Sequence, residues 1–430
     1  MRTLTLLSAI GLLGGSTGGC KWTEFDDLEK DSWVSVTAKP NGDSTDYGVA
    51  LQRGSRVSPA GGGGKLVAIG AGQAQFTEIV YATNGDSDLA PTALKLNNQF
   101  GIGNLDPSPI LLADPTSDEV ALITNAGGAS IAVLSGVGGL VAHQVFGPEQ
   151  PSAAAYFLAP PRLDTAAAHP SQPIVASGLL GAIDTVYGTF YAAAPPSQPS
   201  CKLLDDAGMP LLIRGVGGAA ITSTTTDDLV VWAAVGGAGK LLLYPGGVFN
   251  GQPPVGPCTG GMSGPLPLSM AVDTSFVPGK GSQIIMIDRR YALLVGRKDN
   301  NEGYLALYDV TTMSGGMRVA TRLGIPIDDP ELRSAAILDI GSAKYVVAGY
   351  PGATVEAVKA GKVVVFPLDL TTGVVATPAM TLYDAQPEGD QFFGRTVAVT
   401  PYNGSNVIAV GADNEVFLYF RTQLYDDTRQ

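Results

Sequence analysis

The chain has 430 residues, 45% of them hydrophobic, so it is long enough to bury a large core. It carries 26 Lys and Arg against 39 Asp and Glu, and the net charge of −13 argues against nucleic acid or an anionic lipid surface as the main partner. Its 56 Gly and 30 Pro, in a chain that is also rich in Val, Leu, Ile and Tyr, predict many short strands separated by turns rather than disorder.

The N-terminal residues have the features of an export signal. Arg2 supplies a positive charge, and the apolar stretch 4–13 that follows is too short to span a bilayer as a mature helix. Small residues occupy 14–19, and Cys20 comes directly after them. This segment is therefore set aside from the analysis of the fold.

The same segment resembles a bacterial lipoprotein signal, in which the cysteine becomes the lipidated first residue, although Thr17 stands where that family usually has Leu. The resemblance implies a signal peptide over 1–19, lipidation at Cys20 and a tether over 20–32. It places the protein in the bacterial cell envelope, as an outer-membrane lipoprotein that touches the membrane only through its anchor. In the alternative, an ordinary secretory signal is cleaved nearby and the protein is secreted.

One short apolar pattern recurs seven times after the tether, each copy being a strand that ends in a bulky residue. The copies end at Tyr81, Leu134, Tyr191, Tyr244, Tyr308, Phe366 and Tyr419. The intervals between these ends are 53, 57, 53, 64, 58 and 53 residues. A period of about 55 residues is too long for a helical solenoid and is typical of one four-stranded propeller blade with its connections.

Two further strands are predicted upstream of each copy. A near-continuous apolar run, typical of a strand buried on both faces, lies at 66–69, 120–123, 173–176, 229–232, 292–295, 345–348 and 407–410. A first strand is clearest at 46–48, 99–101 and 390–399, with fainter copies at 213–221, 268–272 and 332–338. Segments after each copy, such as 310–319 and 368–382, supply an outer fourth strand.

The first and last repeats are each incomplete. Residues 420–430 after the last copy are short for a turn and an outer strand, whereas 33–38 have no partner nearby in the sequence. We expect 33–38 to form the outer strand of the last blade, because this pairing removes two open edges at once. The sequence thus predicts an all-β fold over 33–430: a seven-bladed β-propeller of four-stranded antiparallel blades, closed by an N-terminal strand that completes the last blade.

Residues 390–399, together with 407–412 and 416–419, resemble an FG-GAP repeat, the blade unit of the integrin α-chain head and of many bacterial surface proteins. Residues 345–352 and 361–366 are similar to the second half of the same unit. The resemblance implies a seven-bladed propeller with a binding or adhesion role. It also implies that calcium can bind in a loop between the first and second strands of a blade.

The calcium loop of this family carries acidic residues at alternate positions, so that their oxygens surround a hard cation. The best match here places oxygens at Asp114, Thr116 and Asp118. One expectation is a calcium site at Asp114 and Asp118, and the alternative is a solvated acidic loop. No other cofactor is expected.

Cys201 and Cys258 follow the third and fourth copies by 10 and 14 residues, so they occupy similar places in adjacent blades. In an oxidising compartment a disulfide between them is one expectation. The alternative is two unpaired cysteines that behave as small hydrophobic side chains.

The sequence offers no recognisable catalytic constellation. Its two histidines, His143 and His169, have no second histidine or cysteine at metal-ligand spacing. The first hypothesis is therefore a non-enzymatic lipoprotein that binds a protein or polysaccharide through loops on one face of a rigid propeller, and not nucleic acid. The alternatives are an exported propeller enzyme, a glycan hydrolase or lyase with paired carboxylates at the propeller mouth, and a structural subunit of an envelope assembly.

Overall fold

The computed structural model describes strands between Trp33 and Arg421, with nearly continuous coverage from 281 onward. Side-chain surroundings are described mainly from Leu203 onward. The described residues are 33–38, 45–53, 64–71, 75–81, 92–95, 110–113, 120–125, 129–134, 140–144, 151–156, 173–178, 182–187, 201–203, 209, 211–220, 228–235, 237–244, 266–267, 277–279, 281–297, 302–314, 317–384, 386–402, 405–413 and 415–421.

Every paired strand in this part of the chain is antiparallel to its neighbour. The strands of the N-terminal half are β1 (Trp33–Ala38), β2 (Thr45–Arg53), β3 (Gly64–Ala71), β4 (Gln75–Tyr81), β5 (Thr92–Lys95), β6 (Ile110–Ala113), β7 (Val120–Asn125), β8 (Ala129–Leu134), β9 (Leu140–Gln144), β10 (Pro151–Tyr156), β11 (Pro173–Gly178), β12 (Ala182–Tyr187) and β13 (Cys201–Lys202).

The strands of the C-terminal half are longer on average. They are β14 (Leu212–Ala219), β15 (Asp228–Val235), β16 (Ala238–Tyr244), β17 (Leu266–Pro267), β18 (Gln283–Ile287), β19 (Tyr291–Arg297), β20 (Gly303–Ser314), β21 (Met317–Asp329), β22 (Ser334–Ile340), β23 (Ala343–Tyr350), β24 (Lys362–Asp369), β25 (Gly373–Val374), β26 (Met380–Leu382), β27 (Thr396–Tyr402), β28 (Ser405–Gly411) and β29 (Glu415–Arg421).

The described strands form six four-stranded sheets and one five-stranded sheet. Five of the four-stranded sheets take consecutive strands: β2 to β5, β6 to β9, β10 to β13, β14 to β17 and β18 to β21. The five-stranded sheet contains β22 to β25, and β26 pairs with β24. The last sheet contains β27, β28 and β29 and takes its fourth strand, β1, from the other end of the chain.

The pairing of β1 with β29 confirms that 33–38 forms the fourth strand of the last sheet. Trp33 lies opposite Phe420, and Ala38 lies opposite Glu415. The N-terminal strand therefore covers the edge that β29 would otherwise expose, and β29 does the same for β1.

Neighbouring sheets contact one another in chain order through their first strands. First strands contact each other in these pairs: β2 with β6, β6 with β10, β10 with β14, β14 with β18, β22 with β27, and β27 with β2. The fifth and sixth sheets are the exception, because they meet through β19 and β22. Gly215 of β14 lies against Ile284 of β18, and Gly217 lies against Met286, so these two strands run in the same direction. The contacts thus return from the last sheet to the first.

Among the described side chains, the core lies between the sheets, and the second strands of the fourth, fifth and sixth sheets each face two of its regions. In β15, Leu229 and Val231 pack into one buried cluster, whereas Val230 and Trp232 pack into the next. Because successive side chains of a strand point to opposite faces, a strand buried on both faces needs apolar residues at every position. This explains the near-continuous apolar runs, all of which fall inside second strands.

Four of the predicted strands differ from those observed. The first strand of the second sheet is 110–113, not 99–101. Residues 182–187, not the predicted 188–191, pair with β11, so Tyr187 rather than Tyr191 ends the third copy. The first strand of the fifth sheet is 283–287, not 268–272. Residues 390–394 form a turn that precedes β27, because Asp390, Phe392 and Gly394 have positive φ angles that interrupt a strand.

Candidate functional site: a loop surface beside the last two sheets

The connections at one end of the last two sheets form a single surface. It comprises 329–333, 351–361, 386–395 and 412–413, and we call it the loop surface. Loops that a rigid scaffold holds in place are where binding residues concentrate. The local geometry of these segments therefore decides what the surface can do.

Backbone hydrogen bonds fix the loop surface across the boundary between the two sheets. The amide of Asp390 donates to the carbonyl of Val358 at 2.9 Å, and that of Phe392 donates to Lys359 at 3.0 Å. The amide of Phe393 likewise donates to Ala360 at 2.9 Å. Because each of these bonds joins two different connections, neither connection can move without breaking contacts to the other.

A phenylalanine–glycine pair lies at the centre of this arrangement. Phe393 is fully buried, and its ring meets those of Phe417 and Tyr419 edge-on at centroid distances of 5.1 and 6.1 Å. Gly394 has a φ of 89°, and an added Cβ on Gly349 of the preceding sheet would lie 2.0 Å from the Gly394 carbonyl oxygen. The pair thus joins the last two sheets where only glycine leaves enough room.

Exposed apolar and charged groups stand on this rigid base. Val358 is 66% exposed although it is a large hydrophobic residue. Beside it, the Nζ atom of Lys359 lies 3.4 Å from an Asp390 carboxylate oxygen and 5.7 Å from the centroid of the Phe392 ring. An exposed aliphatic side chain next to a cation–π pair gives the mixture of apolar and charged contacts that protein interfaces use.

Acidic side chains gather at the edge of the loop surface next to β29. Burial raises the pKa of Glu415, and the negative charges of Asp384, Glu388 and Asp413 raise it further. Gln391 lies in this group, donating from its side-chain amide to Asp384. Among the described residues, no three His, Cys, Asp or Glu side chains are arranged to hold a metal ion.

The tyrosines with the largest pKa shifts belong to the core. Burial raises the pKa of both Tyr304 and Tyr419, whose hydroxyl groups are hydrogen-bonded inside the protein. The Tyr304 and Tyr308 hydroxyl oxygens are 2.6 Å apart, and Tyr419 donates to the Tyr383 carbonyl. The raised pKa keeps these hydroxyl groups protonated, so that they can donate the hydrogen bonds that stabilise the core.

The residues singled out from the sequence fall mostly outside the described residues. This is so for the signal segment, for Cys20 and for Cys258. Asp114 and Asp118 also lie outside, so the calcium site stays a prediction. Cys201 lies in β13, where its backbone pairs with Ile183, and the disulfide likewise stays a prediction.

Val358, Lys359 and Asp390 were not identified from the sequence. The available signals were the Phe393-Gly394 pair and Gly361, which mark where connections approach closely. In the described part of the chain, no helix has the length and apolar character needed to cross a membrane.

No protein-family model matches the chain, and no curated protein matches it. Its fold is similar to chains in structures of Polycomb Repressive Complex 2. One, from apo ctPRC2 in an autoinhibited state, gives a TM-score of 0.52 at 11% identity, covering 92% of this chain and 99% of that chain. Another, from a humanized mutant of the Chaetomium thermophilum complex bound to an inhibitor, gives 0.51 at 12%, covering 93% and 100%.

A chain from a crystal structure of the active complex in the basal state gives a TM-score of 0.50 at 12% identity, covering 94% of this chain and all of that chain. At such low identity the similarity concerns the fold, and it extends over nearly the whole length of both chains. With its antiparallel sheets contacting one another in chain order and back to the first, the chain has a β-propeller-like fold.

Proposed function

We propose that this chain is an exported, lipid-anchored β-propeller of seven blades that binds a partner protein through the loop surface and is not an enzyme. The observation that carries the proposal is the loop surface itself: exposed Val358 and Lys359 are held by backbone hydrogen bonds between two sheets. A rigid, partly apolar surface loses little conformational entropy when a partner docks on it.

The number of blades is supported by the sheets and by their contacts. Each sheet corresponds to one repeat of the sequence pattern, and contacts between first strands lead from the last sheet back to the first. The packing of Phe393-Gly394 against Gly349 and Gly361 supports an FG-GAP-like blade unit, because these residues belong to the segments that resemble it. A ring of this kind leaves only short, protected strand edges.

The strand pairing supports an orientation relative to the membrane. Trp33 lies opposite Phe420, at the end of the last sheet where β27 turns into β28. Glu415, next to the loop surface, lies at the other end of the same sheet, opposite Ala38. A tether over 20–32 therefore reaches the propeller at the end that faces away from the loop surface, and it spans at most about 40 Å.

The anchor is tested by replacing Cys20 with alanine and fractionating cells. We expect the variant to leave the membrane fraction, because a single acyl-modified residue is the proposed attachment. A matched Cys258→Ala variant keeps the signal region unchanged and is expected to stay with the membrane. Retention of the Cys20 variant in the membrane would contradict the anchor.

Protein binding is tested by cross-linking in cells with the wild-type protein and two variants. Val358→Asp places a charge on the loop surface, whereas Ile325→Asp changes a residue that is 83% exposed on the outer strand β21. We expect Val358→Asp alone to remove a cross-linked partner protein, because a buried unpaired charge is costly at an interface. Equal cross-linking by all three proteins, or adducts that contain only glycans, would refute it.

A further inference from the structure

Four arginines lie at corresponding ends of strands in four successive sheets. Arg214 is near the start of β14, and Arg297 is the last residue of β19. Arg333 and Arg395 directly precede β22 and β27. All four side chains are partly exposed. The chain has only 26 Lys and Arg in 430 residues, so this group, which we call the arginine arc, is a local concentration of positive charge.

Direct contacts connect the first two members of the arc. The Arg214 Nε atom donates to the Pro278 carbonyl at 3.2 Å. The next residue, Gly279, donates its amide to the Arg297 carbonyl. The segment before β18 thus touches both arginines and fixes their separation.

Contacts also connect Arg297 with Arg333. Arg297 lies opposite Gly303 in the β19–β20 pair, and an added Cβ on Gly303 would lie 2.6 Å from the Leu332 carbonyl oxygen. The same carbonyl accepts a hydrogen bond from Arg333 Nη1 at 2.7 Å. The two arginines therefore border one small area where the fifth and sixth sheets meet.

The last two members are joined through a buried serine. Ser334 follows Arg333, and its hydroxyl donates to the Gly394 carbonyl at 3.1 Å. Gly394 in turn directly precedes Arg395, whose amide donates to Gly411. The four arginines of the arc are thus connected from one sheet to the next, and Arg333 and Arg395 belong to the loop surface.

Arg297 and Arg333 are the members whose charges are least compensated. Burial lowers the pKa of Arg333, and the positive charge of Arg297 lowers it further, against the opposite effect of Glu331 and Asp329. Among the described residues, no carboxylate lies within ion-pair distance of either guanidinium. The buried Nε atom of Arg297 also has no acceptor there.

Guanidinium groups recognise oxyanions through parallel N–H donors, and the pairing strengthens where water is partly excluded. We infer that the arginine arc, centred on Arg297 and Arg333, binds side-chain carboxylates of an acidic segment of the partner protein. This inference rests on the proposed function, and it names the chemistry of the partner.

The neighbouring acids favour a peptide over a polyanionic glycan. Asp329 and Glu331 lie beside Arg333, so a ligand with uniform negative charge would meet repulsion there. A peptide can place carboxylates over the arginines and its own N–H donors over Asp329, as electrostatic complementarity requires. The Glu331 carboxylate lies over Gly352, where an added Cβ would be 1.7 Å from it.

The test measures binding of the full-length protein to fluorescent peptides of about eight residues. One peptide alternates Glu with Ser, and a neutral peptide has Gln in place of Glu. Polygalacturonate serves as the polyanionic glycan. We expect the acidic peptide to bind in preference to the other two, with an affinity that falls as salt is added.

Variants locate the site. Arg297→Gln and Arg333→Gln are each expected to weaken the acidic peptide about tenfold or more, because each removes one partner of a charged hydrogen bond. Arg333→Lys keeps the charge and is expected to retain part of the affinity. Lys344→Gln is the matched control, since it removes a positive charge at the opposite end of the sixth sheet.

Three results would overturn the inference: equal binding of the acidic and neutral peptides, an equal loss in Lys344→Gln and Arg333→Gln, or arc-dependent binding of the glycan alone. Thermal unfolding of each variant checks that it folds. If a glutamine variant does not fold, Arg333→Lys still tests the inference. If the peptide fails while Val358→Asp still removes the cross-linked partner, only the acidic segment is refuted. If cross-linking is insensitive to Val358→Asp, the proposed function itself falls.

Discussion

Replacing Phe393 with alanine tests whether the phenylalanine–glycine pair holds the last two sheets together. The side chain is fully buried and meets the rings of Phe417 and Tyr419 edge-on. Truncating a buried phenylalanine costs ~3–5 kcal/mol of unfolding free energy, and each edge-to-face pair contributes ~0.5–1.5 kcal/mol beyond the area it buries. Hydrogen bonds fix the backbone on both sides, so the cavity cannot collapse, and we expect a loss of about 4–5 kcal/mol.

Phe392 provides the matched control one residue earlier. Its ring is half-buried under Lys359, an exposed cation–π contact worth ~0.5–1 kcal/mol. Its φ of 54° is equally unfavourable for phenylalanine and alanine, so backbone strain cancels in Phe392→Ala.

Urea unfolding followed by tryptophan fluorescence measures both variants, because Trp232 is fully buried and reports on the core. The shift in midpoint, at an unchanged dependence on urea, gives the difference in unfolding free energy. We expect Phe393→Ala to lose several times more stability than Phe392→Ala. A difference below about 1 kcal/mol between them would show that the pair does not join the sheets, since a buried aromatic side chain has to cost more than an exposed one.

Three further changes have expected outcomes. Gly349→Ala places a Cβ 2.0 Å from the Gly394 carbonyl oxygen and should lower the free energy of unfolding in urea by ~2 kcal/mol or more. Its control, Gly341→Ala, adds a Cβ in open space at a φ of 58° and should lower that free energy by only ~1 kcal/mol. Equal losses of stability would contradict the close approach of Gly349 to Gly394. Glu415→Gln should raise the urea midpoint at pH 7, because burial holds the folded-state pKa of this acid above its unfolded value and so disfavours the charged form in the folded protein. The gain in midpoint should vanish as the pH falls below about 4, where the acid is protonated in both states. A gain that does not change with pH would argue against titration of Glu415. Deleting 33–38 exposes the edge of β29, so it should lower the urea midpoint and promote aggregation, which light scattering detects. A variant that stays monomeric with an unchanged urea midpoint would show that the pairing of β1 with β29 is dispensable.

Much of the fold followed from local patterns. All seven apolar runs fall inside second strands, because a strand buried on both faces has to be apolar at successive positions. The third copy was misplaced because Tyr187 and Tyr191 both end a short apolar stretch, and only pairing with β11 distinguishes them. In the fifth repeat, 268–272 has the composition of a strand, but β18 takes the place beside β19.

The candidate site was much less predictable. The Phe393-Gly394 pair is visible in the sequence. Its contacts, from Gly394 to Gly349 and from Phe393 to Gly361, join residues 45 and 32 positions apart and depend on how two sheets pack. Val358 and Lys359 look like ordinary loop residues, and their exposure is known only once the surrounding backbone is in place. The arginine arc is scattered from Arg214 to Arg395, and no interval in the sequence connects its members.

The sequence by itself determined that the chain repeats, that each repeat supplies a sheet, and that 33–38 has to complete the last one. Periodicity is visible in the order of the residues, and so is the lack of a partner strand in the first and last repeats, so both features can be recognised without knowing the fold. Only the tertiary structure decided which connections lie together, that Phe393 joins two sheets, and that Arg297 and Arg333 border one area. Those contacts arise where different sheets meet, and their distances depend on packing between segments that are remote in the chain.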